Sequence, residues 1–175
     1  MQVMMIVRYC FALGAGKRLS LRIDVKLIGY TPDAEELIEI SGRESYGSPV
    51  SKTGQGKAEW IRKRIEGWEH DVLEHASATF RITCSHVASH QIVRHRIAGY
   101  TQQSQRFREP QPEEYICPPE VRIGDLNEWV ADYNHSYEIY DKWKTRGYKR
   151  QTARYHLPMG ASTILVATWN FREIR

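Results

Sequence analysis

Cysteine is scarce in this chain: Cys10, Cys84 and Cys117 are the three among 175 residues, and no CxxC pair occurs. An odd, small number excludes a disulfide scaffold and a thiolate-built metal site, and the reading places the protein in a reducing, cytoplasmic setting. Long apolar runs are missing as well. None approaches the ~20 residues that span a bilayer, so no membrane partner is expected. The stretch 1–16 is the one candidate for targeting. Arg8 breaks its apolar run and no basic residue precedes that run, which argues against a signal peptide. Internal repeats and low-complexity tracts are also absent.

Lysine is the other shortage. The chain holds 17 arginines and 8 lysines against 21 acids, a net charge of only +4. So small an excess does not imply bulk attraction to nucleic acid, and no nucleic-acid partner is expected. The bias towards arginine says more, because its planar fork grips phosphate and carboxylate bidentately. Built anion sites are expected. With 41% apolar and 26% charged residues, the composition is that of an ordinary globular protein, not a disordered one.

Along the chain, 1–19 reads as an extension. Residues 21–30 alternate as a strand, and Thr31-Pro32-Asp33 opens a helix running to about Ser41, with Thr31 as its cap. Glycine, proline and serine make 45–56 a loop. Trp60, Ile61, Ile65 and Trp68 stand at helical spacing over 57–68. Residues 75–84 read as a strand with Ala76, Ala78, Phe80 and Ile82 on one face, and Ser85 caps a helix that ends near Arg96. Residues 98–120 read as loop. The longest helix is expected over 124–147, a shorter one over 148–156, and a buried strand over 161–169. Asn170 caps a last helix, which Arg175 interrupts after about one turn. The mixture lacks a βαβ rhythm, so the class is α+β: a mixed sheet flanked by helices in a single domain. Trp60, Trp68 and Trp169 are expected in the core, as is Cys84.

Several motifs fail on inspection. Gly16-Lys17 and Gly56-Lys57 lack the first glycine and the hydroxyl residue of a phosphate-binding loop. His86 and His90 share a helix face, but Val87 replaces the glutamate of a zinc-protease pattern and no third ligand follows, so no metal is expected. No cysteine neighbours a base that would lower its pKa. Ser104 has no nucleophile elbow around it.

What remains is Gln91 to Arg108, QIVRHRIAGYTQQSQRFR, with four arginines, one histidine, four glutamines, a serine and a threonine. On the expected helix Gln91 and Arg94 share a face. Planar cations beside amides and a hydroxyl suit a phosphate joined to a heterocycle. A solvated basic helix end, complementing the helix dipole, would look alike in isolation.

Arg94-His95-Arg96, seven residues, then Ser104 resembles the signature of flavin-dependent thymidylate synthases. Ser104-Gln105-Arg106 is similar to that family's S-x-R. His70-Asp71-Val72-Leu73-Glu74-His75 resembles its E-S-V-L-E-H, and residues 25–38 its opening strand and helix. Arg154-Tyr155-His156-Leu157-Pro158 resembles R-x-x-L-P, and Asn170-Phe171-Arg172 resembles N-x-R. Gly99 and Thr101 stand where the family commonly has Ser and Asn.

The resemblance implies a domain over 20–175 lacking its C-terminal end. It also implies reductive methylation of dUMP to dTMP, with methylenetetrahydrofolate donating the carbon and NADPH-reduced FAD the hydride. A homotetramer with shared active sites is part of that expectation. Carried over by position, Gln91, Arg94, Gln103, Ser104, Arg106 and Arg154 would contact dUMP. Asp71, Arg94, His95, Arg96, Gln102, Asn170 and Arg172 would contact FAD. Ser104 would polarise substrate and not attack it. Glu74 and His75 could instead satisfy each other or the backbone in the core, and His70 receives no role. The competing reading is a non-catalytic nucleotide- or RNA-binding module using the arginine-rich loop 94–108, although only Tyr100 and Phe107 could serve it as stacking platforms.

Overall fold

The computed structural model describes residues 23–51, 54–111 and 114–175, together with two short strands, β1 (Ala12–Leu13) and β2 (Lys17–Arg18), which pair antiparallel. The rest of the expected 1–19 extension, Cys10 included, lies outside the described residues. Four longer strands, β3 (Asp24–Tyr30), β4 (Ser77–Ser85), β5 (Ala98–Gln102) and β6 (Ser162–Asn170), form one sheet in the order β3-β4-β6-β5. Among the described residues six helices accompany them: α1 (Ala34–Tyr46), α2 (Gly54–Glu66), α3 (His86–Ile92), α4 (Leu126–Thr145), α5 (Arg150–Ala153) and α6 (Phe171–Ile174). The class is α+β, as expected.

The sheet is antiparallel, not mixed. Thr31 N–H donates to the Ser77 carbonyl while Gly29 lies across from Thr79. Thr79 meets Thr168 while Phe171 N–H donates to the Ala76 carbonyl. In each pair one index rises as the other falls, which is the mark of antiparallel strands.

Two compact units are distinguished. The first comprises Lys26–Arg81, His95–Tyr100 and Val166–Arg175. Its core gathers Ile38, Val72, Leu73 and Ala76 against Trp60, Ile61, Ile65 and Phe171. Gly42 of α1 lies beneath Trp60, where a Cβ would come within 2.3 Å of the indole. Thr31 does not cap α1. Its hydroxyl accepts the Ser77 N–H, and Asp33, in the left-handed region at φ 48°, takes the cap position. The helix outruns Ser41 and ends at Gly47, which supplies the positive φ of 57° that such a terminus favours. Trp68 contradicts its expected burial, being 84% exposed. Helix α2 stops at Glu66 and Trp68 adopts φ 65°, so helical phase no longer governs where its indole points.

The second unit is built on Ile82–Arg94 and Thr101–Leu165. Tyr133 and Tyr137 of α4 join Tyr115, Cys117, Leu126 and Ala161 in its core, with the Tyr115 and Tyr133 rings 4.1 Å apart. Cys84 is fully buried and burial raises its thiol pKa, in keeping with a packing role. Leu165 is also fully buried, worth about 1.5–3 kcal/mol of transfer energy.

Candidate functional site

Helix α3 begins where the sequence places it. The Ser85 hydroxyl accepts the Ala88 N–H, satisfying one of the donors a helix start leaves open. It ends earlier than expected. Arg94 N–H turns back to the Gln91 carbonyl, so Arg94, His95 and Arg96 lie beyond Ile92 on irregular backbone. Arg94, His95 and Arg96 are exposed, and their side chains make no hydrogen bond or ion pair among the described residues. In the first unit, Tyr100 donates to the His95 carbonyl at 2.7 Å and accepts from Trp169 Nε1 at 3.0 Å. That chain of contacts ties down the backbone at His95.

The expected loop over 98–120 begins as strand β5, which the sequence reading missed. In the second unit Gln103 N–H continues its ladder to the Ile164 carbonyl. A tight turn follows. The Ser104 carbonyl accepts N–H groups from Phe107 and Arg108, and its hydroxyl accepts the Arg106 N–H at 3.2 Å. No imidazole or carboxylate pairs with that hydroxyl among the described residues.

The side chains of this turn are tied down. Gln102 Nε2 donates to the Ser89 and Thr163 hydroxyls at 3.0 and 3.2 Å. Arg106 donates to Gln151, and Arg108 forks onto both oxygens of Glu114 at 2.8 and 2.6 Å while reaching Gln103. Arg150 donates to the Phe107 carbonyl. Arg154, one turn further along, is half-buried and its guanidinium has no partner among the described residues. The unit thus brings Gln102, Gln103, Ser104 and Arg106 onto one turn and joins that turn to the segment carrying Arg154. His86, Gln103, Gln105, Arg108, Ser162 and Thr163 line a polar cleft beside it.

The remaining candidates lie in the first unit. Asp71 opens the 3-10 turn Asp71–His75. Asn170 caps α6 through Oδ1, accepting the Glu173 N–H at 3.0 Å, as its sequence position predicted. Arg172 pairs with Glu74, so Glu74 satisfies an arginine and not His75.

Sequence reasoning missed His86, Gln105, Arg108 and Arg150 as structural partners of the turn. The nearest signal was the rejected metal pair. His86 and His90 do approach, with ring centroids 6.4 Å apart and edge-on, but no group of three metal-capable side chains exists among the described residues. No helix among the described residues is long and apolar enough to cross a membrane.

Residues 26–175 match the pattern described as thymidylate synthase complementing protein. The flavin-dependent thymidylate synthase of Sulfurisphaera tokodaii is 38% identical over 161 residues, covering 87% of this chain and 63% of that one. Its namesake from Pyrococcus horikoshii is also 38% identical and covered to 68%. The chain therefore spans less than two thirds of the length of the first of these relatives and 68% of the second. Among solved structures, the UMP/dUMP methylase PolB from Streptomyces cacaoi, bound with 5-Br dUMP, superposes with a TM-score of 0.75 at 21% identity. That likeness covers 87% of this chain and 75% of the other, and it speaks for the fold. With the motif order, the antiparallel sheet and these matches in agreement, the chain belongs to the thymidylate synthase complementing protein family.

Proposed function

We propose that this protein is a flavin-dependent thymidylate synthase that methylates dUMP to dTMP, taking its carbon from methylenetetrahydrofolate. The observation that carries this is the contrast on either side of β5: cations at Arg94 and Arg96 with no partner among the described residues, then a pre-shaped polar turn around Ser104. A pyrimidine carbon attacks only if negative charge can spread over the ring. Fixed donors and cations stabilise that charge as it develops, without reorganising. Gln91, Arg94, Gln103, Ser104, Arg106 and Arg154 would bind and orient the nucleotide. Ser104 polarises it.

The donor set fits FAD. The side chains of Arg94, His95 and Arg96 have no partner among the described residues, as suits groups meant for a diphosphate. Asn170 spends Oδ1 on its cap and keeps its amide nitrogen to donate, and Asp71 is exposed. Gln102 is held by Ser89 and Thr163, and Arg172 by Glu74, so these two would meet the cofactor in fixed orientations. When bound, the flavin reduced by NADPH supplies the hydride. The protein would work as a homotetramer with shared sites in the cytoplasm.

The visible spectrum of the purified protein tests the reading. Flavin absorbance released as FAD on denaturation, with NADPH oxidation that depends on dUMP, is expected. A colourless protein that takes up no FAD overturns it. Steeply salt-dependent binding to oligonucleotides without NADPH oxidation would favour the binding-module alternative instead.

A further inference from the structure

His86 carries no role in the motifs that mark the family, yet two amides of the candidate turn converge on its ring. It is the first residue of α3, and its backbone N–H is fixed to the Ala161 carbonyl at 3.1 Å. Gln105 Nε2 lies 2.9 Å from His86 Nε2, and Gln102 Nε2 lies 3.5 Å from His86 Nδ1. The Gln102 amide is itself anchored on the buried hydroxyls of Ser89 and Thr163. Gln102 and Gln105 flank Gln103 and Ser104, so the ring holds the Gln105 end of the segment proposed to bind nucleotide, while the two Gln102 amide hydrogens are taken by Ser89 and Thr163. Because the Gln105 amide donates to Nε2, that nitrogen must offer a lone pair, and the ring proton belongs on Nδ1.

We infer that His86 is a positioning residue, whose neutral ring holds Gln105, and with it the turn at Ser104, in the shape that receives dUMP. The inference rests on the proposed reading of this turn as a nucleotide site. Burial holds the imidazole below its ordinary pKa of 6.5, with the charges of His90 and Arg154 adding to the effect. The charged or titratable groups around the ring are His90 on the same helix, Arg154, and Arg108, which is neutralised by Glu114. Strand β6 offers only the hydroxyls of Ser162 and Thr163 to the cleft. Protonation would set an N–H of the ring against an N–H of Gln105 and release that end of the turn. The grip is therefore intact above about pH 6.5 and lost as pH falls from there through the lower folded-state value.

Calorimetric titration with dUMP, from neutral pH to about pH 5, tests this on the parent, His86→Gln, His86→Leu and His90→Gln proteins. The dUMP phosphate titrates in the same range, with a pKa near 6, so the informative quantity is the ratio of parent to variant affinity. Glutamine offers an amide oxygen to Gln105 and does not titrate. His86→Gln should match the parent near neutrality and pull ahead by about fivefold or more on acidification, while His90→Gln follows the parent. His86→Leu should be weaker by about tenfold at neutral pH. Parallel curves for the parent and His86→Gln would overturn the inference, as would ¹⁵N chemical shifts placing the neutral ring's proton on Nε2. A parent protein that binds no dUMP at any pH would sink the nucleotide reading and this inference together. Binding with parallel curves would sink the inference alone.

Discussion

Arg94 and Arg96, just before β5, stand exposed with no side-chain partner among the described residues. Arg106 and Arg108, just after it, are bound to Gln151, Gln103 and Glu114. The residue type is the same and the strand between them is five residues long. A guanidinium whose donors are consumed internally shapes the backbone around it. One whose donors stay unmatched in a fixed stretch of chain is set up for an anion from outside. Composition alone does not tell the four apart; their partners do, tying Arg106 lightly and Arg108 firmly into the turn.

The widest expected separation is in nucleotide affinity. Arg94→Ala should cost about 2–5 kcal/mol of dUMP binding, measured by calorimetry, if its charge is desolvated in the complex. Affinity equal to the parent would erase the distinction. A middle effect is expected at the helix that leads into the triplet. Ser85→Ala removes the cap of α3 and should lower unfolding free energy by about 0.5–2 kcal/mol in urea titration. The smallest concerns the firmly tied arginine. Arg108 and Glu114 are each more than a third exposed at the side chain or close to it, at 44% and 34%, so solvent screens the pair. Arg108→Ala should change stability by no more than about 1 kcal/mol. If it weakened dUMP binding as much as Arg94→Ala, the contrast across β5 would have to be redrawn.

Local chemistry explains which parts of the fold could be read in advance. A cap is a contact three residues long, so Ser85 and Asn170 were legible, and the apolar, β-branched run of β6 announced a strand. Strand β5, with the sequence Ala-Gly-Tyr-Thr-Gln, has neither alternation nor apolar weight. Its conformation comes from β6, more than sixty positions later, as the bond from Gln103 to Ile164 shows. The end of α3 was misjudged because apolar spacing continues through Val93, whereas the backbone turns there. Trp68 failed for the related reason that α2 stops two residues before it. At the candidate site, the residue roles followed from motif order and not from periodicity. The ties between His86 and Gln105, or Arg172 and Glu74, join positions 19 and 98 apart and have no local signature.

The tyrosine-lined core has an alkaline counterpart to these effects. Burial raises the Tyr115 hydroxyl to about 12, and Tyr133 and Tyr140 are raised too, by burial first. Each stays un-ionised in the folded protein above the ordinary value of 10, so its contribution to stability is whole below that pH and drains away as the solution becomes more basic. Tyr115, Tyr133 and Tyr140 should therefore form phenolate only when the packing around α4 gives way. Phenolate absorbance in a base titration would then act as a gauge, native to the chain, of when this half of the molecule comes apart.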